Sequence, residues 1–164
     1  MPRRVFTILS CVILFAACSQ GVDPKKFEDL YRVGKSIEGA TAVGVTYQQF
    51  GELLQKLATE IAIGTDKAKS EKEKELVRAY SEVLAAYRDS TAIWKKKIEQ
   101  VQYGFIPKGK ILIDKLELLR IIEKYGLPLE SEKGLEYTPE DSIQEIWGKA
   151  RKRLEQANEI LAAK

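Results

Sequence analysis

A rhythm of alternating threes and fours runs through the middle of this chain and leaves little freedom about how it folds. Val77, Tyr80, Leu84, Tyr87, Thr91, Trp94, Ile98 and Val101 keep that spacing without a break. Residues so spaced share one face of an α-helix. Ser70 and Glu73 stand just ahead of the run as a capping box, the side-chain pattern that closes the first turn of a helix. The predicted helix covers residues 71–102 and, at a rise of 1.5 Å per residue, would be roughly 48 Å long. A rod of that length with one apolar seam gains its stability by packing against other helices. Its Tyr87 and Trp94 invite comparison with a ligand stack, but aromatic side chains at this spacing read first as core.

The same periodicity recurs on both sides. Asp23-Pro24 supplies a capping carboxylate and a proline suited to a first helical turn. Phe27, Leu30, Gly34, Ile37 and Thr41 follow on one face, with Tyr31 beside them. Gly34, Gly39 and Gly44, with Ala40 and Ala42 between, make this stretch unusually small. Close helix approach and a helix end at Gly44 would explain it, as would a ligand against bare backbone. Thr46 and Gln49 form a second capping box, with Val45 and Phe50 as its hydrophobic staple. Tyr47, Phe50, Leu54, Leu57 and Ile61 then mark a buried stripe adjoined by Leu53, until Gly64-Thr65-Asp66 interrupts it. Residues 103–109 form a turn by their glycines and proline. Residues 111–125 are the most hydrophobic part of the chain after its N-terminus. Lys110, Asp114, Glu117, Arg120 and Lys124 recur there as a narrow polar stripe, a period that predicts a helix wedged among others. Whatever the domain leaves uncovered there, with Leu112, Leu116 and Leu119 as the candidates, would be a surface for a partner or an acyl chain. A polar loop of about a dozen residues follows. Thr138-Pro139-Glu140-Asp141 then opens the last helix, along which Ile143, Trp147, Ala150, Leu154, Ala157 and Leu161 step by four and three. The expectation is an all-α, antiparallel bundle of four to five helices over residues 23–164, with short connections joining neighbours.

The first twenty residues differ in kind. Arg3 and Arg4 precede an apolar run over residues 5–17, and the chain turns polar after Ser19. A basic start, a short apolar core and small residues make the layout of a secretory signal peptide. The run falls short of the roughly 20 apolar residues a membrane-spanning helix needs. Its end, Phe15-Ala16-Ala17-Cys18, resembles a bacterial lipobox, although Phe15 stands where the pattern prefers an aliphatic residue. The resemblance is confined to the first eighteen positions. It implies diacylglycerol on the Cys18 sulfur, cleavage before Cys18 and acylation of the new N-terminus. The domain division is then a signal peptide over residues 1–17, a lipidated tether over residues 18–22 and the bundle. An ordinary cleaved signal or a crude hydrophobic anchor is the alternative, as is modification at Cys11, which would leave an apolar core of about five residues against a usual minimum of about seven. Two or more acyl chains give stable anchoring. Ser19 after the cysteine fits sorting to the periplasmic face of the outer membrane, if the cell is Gram-negative.

Composition bounds the chemistry. The chain has 27 basic and 24 acidic residues, and loss of Arg3 and Arg4 would leave a net charge of about +1. Near neutrality gives no general reason to bind nucleic acid. The local runs Lys95-Lys96-Lys97 and Arg151-Lys152-Arg153 are spread around a helix axis and read as solvated faces. There is no histidine, the one methionine is Met1, and the two cysteines are Cys11 and Cys18. Zinc sites of the Cys/His type, haem ligation, di-iron Glu-x-x-His pairs and His-activated nucleophiles are therefore without their residues, and no cofactor or metal site is expected. Nor does the chain carry a glycine-rich phosphate loop. Three functions remain. The first is a membrane-anchored, non-enzymatic interaction or scaffolding module with a protein partner in the cell envelope. The second is a carrier or sensor of a small apolar ligand near Tyr87, Trp94 and Trp147. The third and weakest is an enzyme using paired carboxylates, for instance on a glycan.

Overall fold

The computed structural model describes residues 21–162, so Cys18 and the signal-like segment lie outside the described residues. Asp23 accepts a hydrogen bond from the Lys25 amide and caps a 3-10 turn at Pro24–Phe27. Helix α1 (Glu28–Val43) continues from it and stops at Gly44, whose φ of 102° lies where a Cβ is disfavoured. Helix α2 (Tyr47–Lys67) and helix α3 (Glu71–Glu99) both begin at the expected capping boxes, Thr46 with Gln49 and Ser70 with Glu73. A 3-10 turn at Gln100–Gln102 then draws out the end of α3. Strand β1 (Lys110–Leu112), helix α4 (Leu116–Tyr125), strands β2 (Glu130–Glu132) and β3 (Leu135–Pro139), and helix α5 (Ser142–Ala162) complete the order.

The chain is thus mostly helical with a small sheet, and the purely α-helical expectation is corrected at residues 110–139. Residues 111–125 do not form one helix. Ile111 and Leu112 pair with Thr138 and Tyr137 of β3, Ile113 donates its amide to the Glu136 carbonyl, and helix begins only at Leu116. A β-branched residue buried on a pleated strand has the same apolar signature as one on a buried helix, and distant pairing decided between them. The polar loop after Gly126 is corrected too, because most of it is the β2–β3 hairpin. Its two-residue turn, Lys133-Gly134, takes positive φ at both positions (52° and 78°), the geometry that matches the twist of paired strands. Thr138 and Pro139 therefore end a strand instead of opening α5. In the antiparallel sheet of order β1-β3-β2, the free edge of β1 is closed by Gln100. The Gln100 side-chain amide donates to the Lys110 carbonyl at 2.7 Å, and its oxygen accepts from the Leu112 amide at 2.8 Å. A buried side chain thus stands in for a fourth strand.

Helices α1, α2, α3 and α5 pack side by side, up-down-up-down. Tyr80, early in α3, hydrogen-bonds Asn158, late in α5, at 2.7 Å, so those two helices are antiparallel. The Gly34 Cα faces Tyr80 and Leu154, and a Cβ there would lie 3.0 Å from each, which explains this glycine as close packing. The continuous core runs from Phe27 and Leu30 at one end to Phe50, Tyr87, Ile146 and Trp147 toward the other. Helix α4 and the sheet lie against α3 near its C-terminal end.

Candidate functional site

The bundle has two distinct ends. At the foot, the first turns of α1 meet the last turns of α5 and the start of α3, where Lys26 bridges to Glu73 at 2.6 Å. A groove of about 560 Å³ opens there between Pro24, Glu28, Tyr31 and Lys35 on one wall and Glu155, Asn158, Glu159 and Leu161 on the other. At the head, the end of α1, the far end of α3 and the start of α5 converge on a second cleft, of about 440 Å³. Both volumes lie in the range of small-molecule sites.

The head cleft is a wedge with three walls. Thr41 to Val45 supply the first, where α1 ends and turns into α2. Trp94 and Lys97, one turn apart on α3, supply the second. Glu140, Ile143, Gln144 and Trp147, at three-four spacing around the start of α5, supply the third. Trp94 and Trp147 form an aromatic floor, with ring centroids 5.6 Å apart at 69°, buttressed by Phe50 at 6.0 and 5.2 Å. Tyr47 meets Trp94 edge-on at 5.4 Å. At the rim the Lys97 ammonium holds the Glu140 carboxylate at 2.6 Å, with both side chains more than a third exposed. Among the described residues, Lys97 and Glu140 are the only charged ones lining the cleft, and they cancel.

Of the residues singled out from sequence, the fold brings Trp94 and Trp147 together here and scatters the rest. Tyr87 lies fully buried beneath, edge-on to Phe50 at 5.5 Å. Its hydroxyl sits near Thr41 without a well-formed hydrogen bond, while Thr41 donates to the Ile37 carbonyl. Burial pushes the Tyr87 hydroxyl up to about 12, partly offset by the neighbouring Thr41 and Arg151. Leu112 is buried in β1, Leu119 is half-buried on α4, and Leu116 is 65% exposed. The expected apolar surface of α4 is therefore reduced to Leu116, at the start of the helix. Sequence reasoning missed Lys97, Glu140 and Gln144. Their three-four spacing to Trp94 and Trp147 was visible, but nothing local says that the two rows face each other.

Other polar clusters carry structure. Lys96, buried on α3, reaches Asp114 at 2.5 Å and so fixes the segment between β1 and α4. Asp89 accepts from Lys124 at 2.7 Å and from the Tyr125 hydroxyl at 2.8 Å, tying α4 to α3. Among the described residues no group of three or more acidic or cysteine side chains is gathered around a point where a metal ion would sit. None of the described helices is long and apolar enough to cross a membrane. The chain matches no family model, no curated protein and no solved structure.

Proposed function

We propose that this chain is a lipoprotein held at a membrane through Cys18, and that its bundle is a non-enzymatic interaction module whose working surface is the head. The observation that carries this reading is where the exposed apolar side chains lie. Val43 (88% exposed) stands on the rim of the head cleft, and Val101 (82%) and Phe105 (65%) stand just beyond the end of α3. Tyr103 stacks on Phe105 with centroids 5.9 Å apart, and a second, shallower depression below them shares Lys97 and Glu140 with the cleft. Exposed aromatic and aliphatic side chains gathered around a concave site are what a partner surface presents. The tether would leave from Gly21 and Val22, at the foot. An α3 of 29 residues is about 43 Å long, so the head would stand about that far from the anchor. In a Gram-negative cell the anchored module would face the periplasm.

The apolar-ligand reading keeps one specific support, the groove at the foot, whose walls are largely apolar with Tyr31, Pro24 and Leu161 among them. It would place the ligand beside the anchor and away from Trp94 and Trp147.

Anchoring is tested by growing cells with a labelled palmitate and isolating the protein. The wild type is expected to carry label and sediment with membranes, and Cys18→Ala to lose both. An unlabelled wild type, cleaved elsewhere and free in solution, would contradict the anchoring.

A further inference from the structure

We propose that the head cleft is a glycan-binding site that seats a neutral pyranose ring against Trp94, which Trp147 supports from beneath; this deepens the interaction-module reading by naming the chemistry of its partner. Three features of the cleft converge on that class of ligand.

The first is the floor. An indole face is electron-rich, and it attracts polarised C–H bonds laid flat against it. A pyranose presents such a C–H face, broad and rigid, so little conformational freedom is lost when it stacks. Trp94 is half-exposed at the cleft, while Trp147 is buried against Phe50 and holds the floor in place.

The second is the rim. A sugar carries its hydroxyls around its edge, each a donor and an acceptor, and needs both kinds of partner in a ring about its plane. Lys97 donates, Glu140 accepts, and Gln144 does both. The Lys97–Glu140 pair is half-exposed and therefore weakly held, so each partner is available to exchange its bond for a hydroxyl.

The third is charge balance. With one positive and one negative side chain on the walls, paired with each other, the cleft offers no net charge to hold a charged ligand, and a neutral polar ring needs none. A long apolar chain is poorly served by a wedge closed on three sides with a charged rim. The walls at Thr41 to Val45, Trp94 and Ile143 leave room for a ring of this size and a second one at the mouth, within about 440 Å³.

Isothermal titration calorimetry of the full mature chain tests this, in a detergent without a sugar headgroup such as lauryldimethylamine oxide. The probes are chitotriose, cellotriose and maltotriose, three neutral oligosaccharides that differ in substituent and linkage. Saturable binding of at least one of them, millimolar or tighter, is expected. Trp94→Leu, which keeps an apolar side chain but removes the indole face, should weaken it about tenfold or more. Lys97→Met should weaken it several-fold, and Glu52→Ala, on the exposed face of α2, should leave it unchanged. Helix content measured by circular dichroism identifies any variant that has failed to fold, and Lys97→Met, at the half-exposed rim, is the variant least exposed to that risk. No saturable heat with any of the three sugars, or binding indifferent to both cleft substitutions, would overturn the proposal. Those results are independent of lipid attachment, so failure here leaves anchoring at Cys18 untouched, and failure of anchoring leaves the sugar result to stand.

Discussion

Replacing Trp147 with alanine is expected to lower the stability of the fold by about 3–5 kcal/mol, the cost of truncating a large aromatic side chain in a packed core. Trp147 is 5% exposed, lies 5.2 Å from the Phe50 ring and 5.6 Å from the Trp94 ring, and reaches across from α5 to α3. Its indole N–H donates to the Ser90 hydroxyl at 2.9 Å, and that hydroxyl donates in turn to the Tyr87 carbonyl. Alanine would therefore leave a void where α2, α3 and α5 meet and would remove the one polar link the ring makes. In thermal unfolding the melting temperature should fall by roughly 10–15 °C for a domain of this size. A loss below about 1 kcal/mol, the scale of a surface substitution, would contradict the packing described for the head of the bundle.

The second large effect lies at the opposite end and depends on pH. Glu73 does three things with one carboxylate. It caps α3 by accepting from the Ser70 amide at 3.1 Å, accepts from the Lys69 amide at 2.7 Å, and pairs with Lys26 at 2.6 Å. Burial pushes its pKa up, but the Lys26 ammonium and the two amides outweigh burial and hold it at about 2. Glu73→Ala at pH 7 is expected to cost about 2–3 kcal/mol, since it removes a capping box and leaves Lys26 without its acceptor. An unfolded glutamate takes up its proton near its ordinary value of 4.5, whereas the folded one resists until about 2. Between those values the unfolded state binds more protons, so acid favours unfolding. The stability that Glu73 contributes is thus complete above about pH 5 and is lost as pH falls through the folded value, amounting to about 2 kcal/mol once screening at the partly open Lys26 is allowed for. Urea midpoints of wild type and Glu73→Ala should accordingly lie well apart at pH 7 and close together near pH 2. A gap of the same size at both would show that the Lys26 and amide contacts do not hold the carboxylate in its charged form.

Where the fold was legible in the sequence, the reason was local. Thr46 with Gln49 and Ser70 with Glu73 announced α2 and α3 because a capping box works within a single turn. Gly44 announced the end of α1 in the same way, and the three-four stripe from Ile143 to Leu161 announced α5. What stayed hidden depended on distance along the chain. Ile111 is buried by pairing with Thr138, and a periodicity window centred on either residue does not include the other. Three-residue strands are too short to establish a period of two. Gln100 looked like one more polar residue at a helix end, yet it closes the edge of β1. The candidate site divides along the same line. Trp94 and Trp147 stood out by residue type, whereas Lys97 and Glu140 became a pair only when the β3–α5 corner brought Glu140 against α3. Leu112 and Leu119, grouped with Leu116 on an expected helix face, were separated once β1 drew Leu112 into the sheet.

The most direct test of the central claim, that the head of an anchored bundle is the working surface, is site-specific photo-crosslinking in intact cells. A photoreactive residue is placed at Val43 or Phe105 on the head, and at Glu52, exposed on the outer face of α2, as the control. A discrete crosslinked species, protein or glycan, is expected from both head positions, none from the α2 position, and loss of the head product in Cys18→Ala. Equal labelling from head and side of an anchored protein, or none from the head, would contradict it.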